Sequence, residues 1–441
     1  MTLINDLIAV LLISERDYIF SPPWIGFLFL VLIAATFFIK PPKQRFITLA
    51  AFQIASFLIA TPWVGNHVIV NLLLSITGIF YLTRPQSDSE LQTKWVRQFL
   101  ILFLFLYLTA SLAKLNVSFF DLQTSCTNHI YQRLFKKFGI YVPVSTQAAG
   151  ALIISTFIVE LLVPLAAAIS KFKKWLLLGL ICFHIFLAIH YFEFLPIVLI
   201  SILSLTPSDI QKRLSESWQQ FRNQRALVLF VFTLALLHRL PNTGGVELPE
   251  AVGGLAGFLL ALLISIPFIR ILFNSEAQWI LPRLKLSAAG GLFILILSIN
   301  ALAPYFGIRS IGALTMYSNL DTYLGTNHFF IPDMNLTHEN EDMIELHSDV
   351  RAVLRKEMPL WVFPLSSQLL VIPKIEFGRL LARSSPAQKE ELIKNIINHE
   401  VTDTTAFAEK ILEDYESKPL YKKLFFGYRP QDPNHPGACL W

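Results

Sequence analysis

Apolar residues in this chain fall in long unbroken blocks. Phe99 to Leu112 and Leu255 to Phe268 each run without one charged side chain. A helix at a water-facing surface keeps its apolar residues on one stripe and shows polar groups on the other. These blocks have no polar side, so they require apolar surroundings in every direction. With 54% hydrophobic and only 15% charged residues in 441, the chain also lacks the material for a polar skin around a core of that size. The expectation is an all-α polytopic membrane bundle. The same inventory excludes a secreted disulfide scaffold, a nucleic-acid-binding module and a disordered chain. The net charge of +5 is assigned to basic residues that set membrane orientation rather than to an anionic partner.

A bilayer needs about 18 to 22 apolar residues per span, and that rule gives roughly ten candidates before Pro304. They are Pro23–Ile39, Phe46–Ala60, Asn66–Leu82, Val96–Leu115, Thr146–Ile169, Trp175–His190, Phe194–Leu205, Ala226–His238, Val252–Leu272 and Leu286–Ala303. Lys40, Lys43 and Arg45 follow the first span, Arg84, Lys94 and Arg97 the third, and Lys171, Lys173 and Lys174 the fifth. Lys212, Arg213, Arg222 and Arg225 follow the seventh, and Arg270, Arg283 and Lys285 border the loop between the last two. These alternate loops are expected on the cytoplasmic side, which with ten spans puts both termini outside. Residues 1–21 are expected to form an amphipathic interfacial helix, residues 22–304 the transmembrane domain, and residues 305–441 an extracytoplasmic soluble domain of mixed α+β character. In that last part Met343–Leu346 and Gln368–Ile372 look like strands, and Pro386–His399 and Thr405–Glu413 like helices, with Ser385 as N-cap before Pro386.

Ionisable groups within spans are costly unless paired, so they are the first candidates for function. Lys114 ends the fourth span among Ala110, Ser111 and Ala113. Small neighbours admit a close helix, which suggests a buried face rather than a snorkelling lysine, and a desolvated amine there could serve as a base. Glu160 lies deep in the fifth span, where a carboxylate is either protonated or finds a cation. His67 and Asn71 share one face of the third span at i,i+4 spacing. His184 lies in the sixth span, and His190, Tyr191 and Glu193 close its outer end. Six residues turn a helix by about 240°, so His184 and His190 do not form a metal pair, and no metal is expected. Cys126 and Cys439 fall on the same expected face and are candidates for a disulfide in an oxidising compartment.

Three stretches, read in order, carry a resemblance. Ala113-Lys-Leu-Asn116 ends a span, Trp63-Val-Gly-Asn66-His67 opens one, and Phe183-His184 is followed by Phe194-Leu-Pro196. This set resembles vitamin K-dependent γ-glutamyl carboxylase and its bacterial relatives, the horizontally transferred transmembrane (HTTM) domain proteins. Gly307 to Pro332, with Met316-Tyr-Ser-Asn319 and Asn327-His328, is similar to the segment after the last span in those relatives. The chain departs from the pattern at Ala113, where the family has a second lysine, at Asn116, where it has Asp, and at Leu314, where it has Trp. The resemblance implies a quinone or hydroquinone cofactor and a lyase-type reaction. It implies Lys114 as the catalytic base and His67 and His184 lining the quinone pocket, with Asn71 beside them. It further implies a bacterial inner membrane, membrane lipids as partners and no nucleic acid. A different class of reading keeps the same bundle as a non-catalytic scaffold or lipid-binding protein, with Lys114 paired to Glu160 or to a lipid headgroup and the tail holding an extracytoplasmic protein. A transporter would need two related halves with broken helices, and no such symmetry is visible.

Overall fold

The computed structural model describes residues 2–19, 23–61, 66–82, 88–122, 125–136, 145–169, 172–189, 194–223, 247–274, 287–306, 328–330, 343–350, 369–397 and 403–425, with a few single positions between them. The fold is mostly helical, with one two-stranded sheet. In chain order the helices are α1 (Thr2–Ile19), α2 (Pro23–Ala35), α3 (Pro42–Ala60), α4 (Asn66–Leu82), α5 (Asp88–Ala113), α6 (Val117–Phe120), α7 (Cys126–Lys136) and α8 (Thr146–Ile169). They continue with α9 (Lys173–Leu187), α10 (Phe194–Leu205), α11 (Ser208–Asn223), α12 (Glu247–Phe273) and α13 (Ala288–Leu302).

Among the described residues two helices are long and apolar enough to cross a membrane, Thr146–Ala167 within α8 and Ala251–Phe273 within α12. Other apolar helices are shorter, including Val68–Leu82, Ile101–Ala113 and Phe194–Leu203. The expected span Ala226–His238 falls mostly outside the described residues. Only 17% of the apolar stretch in α8 is buried inside the protein, against 56% for α12. Ile154, Ile158, Leu162 and Leu165 of α8 point outward at helical spacing. Exposing such side chains to water costs about 1.5–3 kcal/mol each relative to burial, so this face is suited to a lipid surrounding.

Helix α1 does not have the amphipathic, interfacial character expected of it. Leu3 to Ile13 are buried on all sides, against α2, α3, α10 and α11. A helix apolar all round belongs in a core. The two polar residues between Leu3 and Ile13 are both engaged. Asn5 donates to the carbonyl of Pro42 at 2.9 Å, and Asp6 takes Arg45 at 2.5 Å and the indole N–H of Trp218 at 2.9 Å. Arg45 in turn lies over the Phe37 ring at 4.2 Å. Arg45 belongs to a basic loop expected on the cytoplasmic face, so the Asp6 end of α1 lies with that loop, opposite to where the ten-span count places it.

The antiparallel pair α3 and α4 close tightly at Gly78, where a Cβ would come within 2.2 Å of the Phe46 ring. Phe46 stacks edge-on against Trp95 of α5 at 5.0 Å, and Trp95 donates to the Leu74 carbonyl, so α3, α4 and α5 are locked at one level. Helix α5 then runs between α8, α10 and α13.

A second, separate core lies in the polar C-terminal part. Strands β1 (Met343–His347) and β2 (Leu369–Pro373) pair antiparallel, with Ile344 opposite Ile372. Four helices follow, α14 (Lys374–Arg383), α15 (Pro386–Lys394), α16 (Thr404–Ser417) and α17 (Leu420–Phe425). Ser385 caps α15 in a reciprocal box with Gln388, as the Ser-Pro pair suggests. This helix stops at Lys394 rather than His399, because Ile396 leaves it to bridge Leu346 and Ile397 donates to Glu345. Helix α14 carries a fully buried ion pair, Glu376 with Arg379. Glu376 also accepts the backbone N–H of Tyr428, and Arg379 donates to the Lys423 carbonyl.

Candidate functional site

Two residues of α5 and Lys114, in the turn that closes it, build the polar part of the site. Tyr107, Ser111 and Lys114 are spaced i, i+4 and i+7, which puts them within about 60° of one another on one face. All three are buried, Lys114 to 1% exposure. Lys114 meets Glu160 of α8 at 2.6 Å, and its ammonium lies 5.9 Å from the centre of the Phe119 ring. The Tyr107 hydroxyl meets Nε2 of His184 on α9 at 2.5 Å. Glu160 is near enough to Tyr107 to act on it electrostatically. Two helices, α8 and α9, thus converge on one strip of α5, with an acid, a base, a phenol and an imidazole in apolar surroundings.

The chain ends α5 sharply just past Lys114. The Lys114 N–H bonds to the Ser111 carbonyl and Asn116 then turns extended, with φ −140° and ψ 158°. Its side chain works in both directions. The amide N–H donates to the Ala113 carbonyl at 2.8 Å and the amide oxygen accepts from Phe119 at 2.9 Å, capping α6. An aspartate could cap but could not donate, which is a local physical reason for Asn at a position where the resembled pattern has Asp.

The segment 328–330 is fastened over this helix end. His328 Nε2–H donates to the Leu112 carbonyl at 2.8 Å, and the Phe329 N–H donates to Leu115 at 2.9 Å. His328 also bridges Asn116, and its Nδ1 accepts from Phe330. The Leu112 carbonyl lies in the last turn of α5, where carbonyls have no i+4 partner within the helix, and it also accepts from the Leu115 N–H at 3.0 Å. Tyr305 packs edge-on against His328 at 5.5 Å, and burial pushes its hydroxyl pKa upward. Phe120 lies between Phe157 at 6.0 Å and Phe329 at 6.2 Å, so a partly exposed aromatic wall stands beside the buried lysine.

Of the expected site residues, Lys114 and His184 are brought to the same strip of α5. Asn71 is buried on α4. His67 lies in the first turn of α4, but its side chain is outside the described residues, as are His190, Tyr191 and Glu193. Tyr107 escaped sequence reasoning because a tyrosine in a Phe- and Leu-rich span carries no mark of its own; the i+7 spacing to Lys114 was the available signal. Cys126 is buried and disulfide-bonded and Cys182 is free. The expected partner Cys439 is outside the described residues. Among the described residues no group of three His, Cys, Asp or Glu side chains is placed to hold a metal. No protein-family model, no curated protein and no solved structure matches the chain.

Proposed function

We propose that this is an integral membrane protein of the carboxylase-like kind, with a bundle of about ten spans in a bacterial inner membrane and an outer soluble tail from residue 305. In this reading it binds a quinol or a similar isoprenoid lipid beside the strip of α5 and uses Lys114 as a base. The observation that carries it is the buried pair of Lys114 and Glu160 at 2.6 Å. Water stabilises an ion pair strongly over its neutral form, and a dry site removes much of that preference. In the proposed step Glu160 takes a proton from the Lys114 ammonium as the lysine takes one from a ligand hydroxyl. His184 would orient the ligand, and the aromatic wall of Phe120, Phe157 and Phe329 would receive its apolar part from the lipid side.

The test has two parts. Mass spectrometry of a lipid extract of the purified protein is expected to find a bound quinone. Lys114→Ala is expected to abolish quinol-dependent oxygen uptake in purified membranes. Uptake unchanged in Lys114→Ala, or absent from the wild type, refutes the enzyme reading.

One observation favours the scaffold reading instead. Lys114 is 1% exposed and already partnered by Glu160, which a purely structural pair would also be. A quinone-free, inactive protein whose tail captures a defined extracytoplasmic protein would decide for it.

A further inference from the structure

The Tyr107 hydroxyl and His184 share a hydrogen bond whose direction can be worked out. A buried phenol O–H requires an acceptor. Among the described residues the hydroxyl meets Nε2 of His184, at 2.5 Å. An Nε2 that accepts carries no proton, so a neutral imidazole must carry its proton on Nδ1. The opposite arrangement, with Nε2 donating, leaves two groups unsatisfied, the phenol proton and the Nδ1 lone pair. The first arrangement leaves one, the Nδ1–H.

That N–H is the unusual feature. His184 is 5% exposed, and its Nδ1 has no hydrogen-bond partner among the described residues. Orphaned buried N–H groups are rare in proteins, because the donor has lost water and gained nothing. The ring cannot readily turn to relieve it, since Tyr107 lies edge-on at 6.2 Å and Phe183 edge-on at 5.3 Å. A second orphan is on the same face of α5, one turn from Tyr107: Ser111 Oγ is buried and has no partner among the described residues. Two open polar atoms, Nδ1 on α9 and Oγ on the facing strip of α5, mark a place where a ligand oxygen completes the hydrogen bonding.

We propose that Tyr107 is a positioning residue that fixes His184 as the tautomer protonated on Nδ1, and that this N–H is a hydrogen-bond donor to an oxygen of a lipid-soluble ligand. The ligand class rests on the quinol-binding reading above; the tautomer does not. The logic is that of a histidine oriented through its other ring nitrogen, where the partner sets which nitrogen faces the ligand.

The test uses the full chain in lipid bilayers, labelled with 15N-histidine. Solid-state NMR is expected to show a protonated Nδ1 and a bare Nε2 for His184, assigned by the signals lost in His184→Asn. Tyr107→Phe keeps the ring and removes the hydroxyl, and the Nε2-protonated form is expected to appear. A wild-type proton on Nε2, or a tautomer that does not change in Tyr107→Phe, overturns the proposal.

Menadione, a naphthoquinone, is the binding probe. Tyr107→Phe is expected to weaken its binding about tenfold, the scale of one hydrogen bond. His184→Ala removes the donor itself and is expected to weaken binding at least as much, with no further loss when Tyr107→Phe is added. Tyr107→Phe binding equal to wild type overturns the ligand role of the N–H. No menadione binding by the wild type refutes the quinol-binding reading and the ligand half of the proposal, while the NMR result still decides the tautomer. Thermal unfolding of each variant guards against reading misfolding as lost binding.

Discussion

Lys114, just past the end of α5, and Glu160 of α8 lie 2.6 Å apart, with Lys114 1% exposed and Glu160 13%. The two charges compensate each other where water cannot. Removing one leaves the other buried and unpaired, a loss of about 3–5 kcal/mol, whereas replacing both by apolar residues of similar volume is often neutral or stabilising. Glu160→Ala is therefore expected to lower the thermal unfolding temperature in detergent clearly. Lys114→Met combined with Glu160→Leu is expected to restore most of it. A double variant no more stable than Glu160→Ala alone would show that the pair is not what the single change disrupts.

Asn116 donates through its side chain to the Ala113 carbonyl and accepts from Phe119 N–H. Asn116→Asp keeps the acceptor and places a carboxylate oxygen against a carbonyl. The expected cost is about 1–3 kcal/mol, read as a lower unfolding temperature, while Asn116→Ser, which retains a cap, loses less.

His328 holds its segment to the end of α5 through the Leu112 carbonyl. His328→Ala is expected to raise hydrogen exchange at Phe329, whose N–H donates to the Leu115 carbonyl. Exchange that stays at the wild-type rate at Phe329 would mean that the histidine does not fasten this segment.

The contacts of Asp6 with Arg45 and Trp218 place that end of α1 beside the basic loop after α2. A peptide tag fused ahead of Met1 is expected to be reached by antibody only when Lys40→Cys is also reached by a membrane-impermeant maleimide, in vesicles of either orientation. Opposite accessibility of the two would refute the placement.

Cys126 is disulfide-bonded and Cys182 is free, and the chain has three cysteines. Peptide mapping without reductant is expected to recover one cross-linked peptide joining Cys126 to Cys439. Recovery of Cys439 as a free thiol would refute it.

What sequence alone determined here was whatever depends on neighbours along the chain. Unbroken apolar blocks dictate helices with no polar face, β-branched and apolar runs at Met343 and Leu369 dictate strands, and Ser385 before Pro386 dictates a helix start, since each depends on residues within a turn or two. Lys114 and Glu160 could be singled out because a charge in an apolar block is conspicuous. That they meet, that Tyr107 faces His184, and that α1 is a core helix held by Asp6 depend on how helices distant in the chain are brought side by side. Lipid-facing and buried apolar helices have the same composition, so hydropathy cannot tell α1 from α8. Only packing decides which faces its own protein and which faces outward.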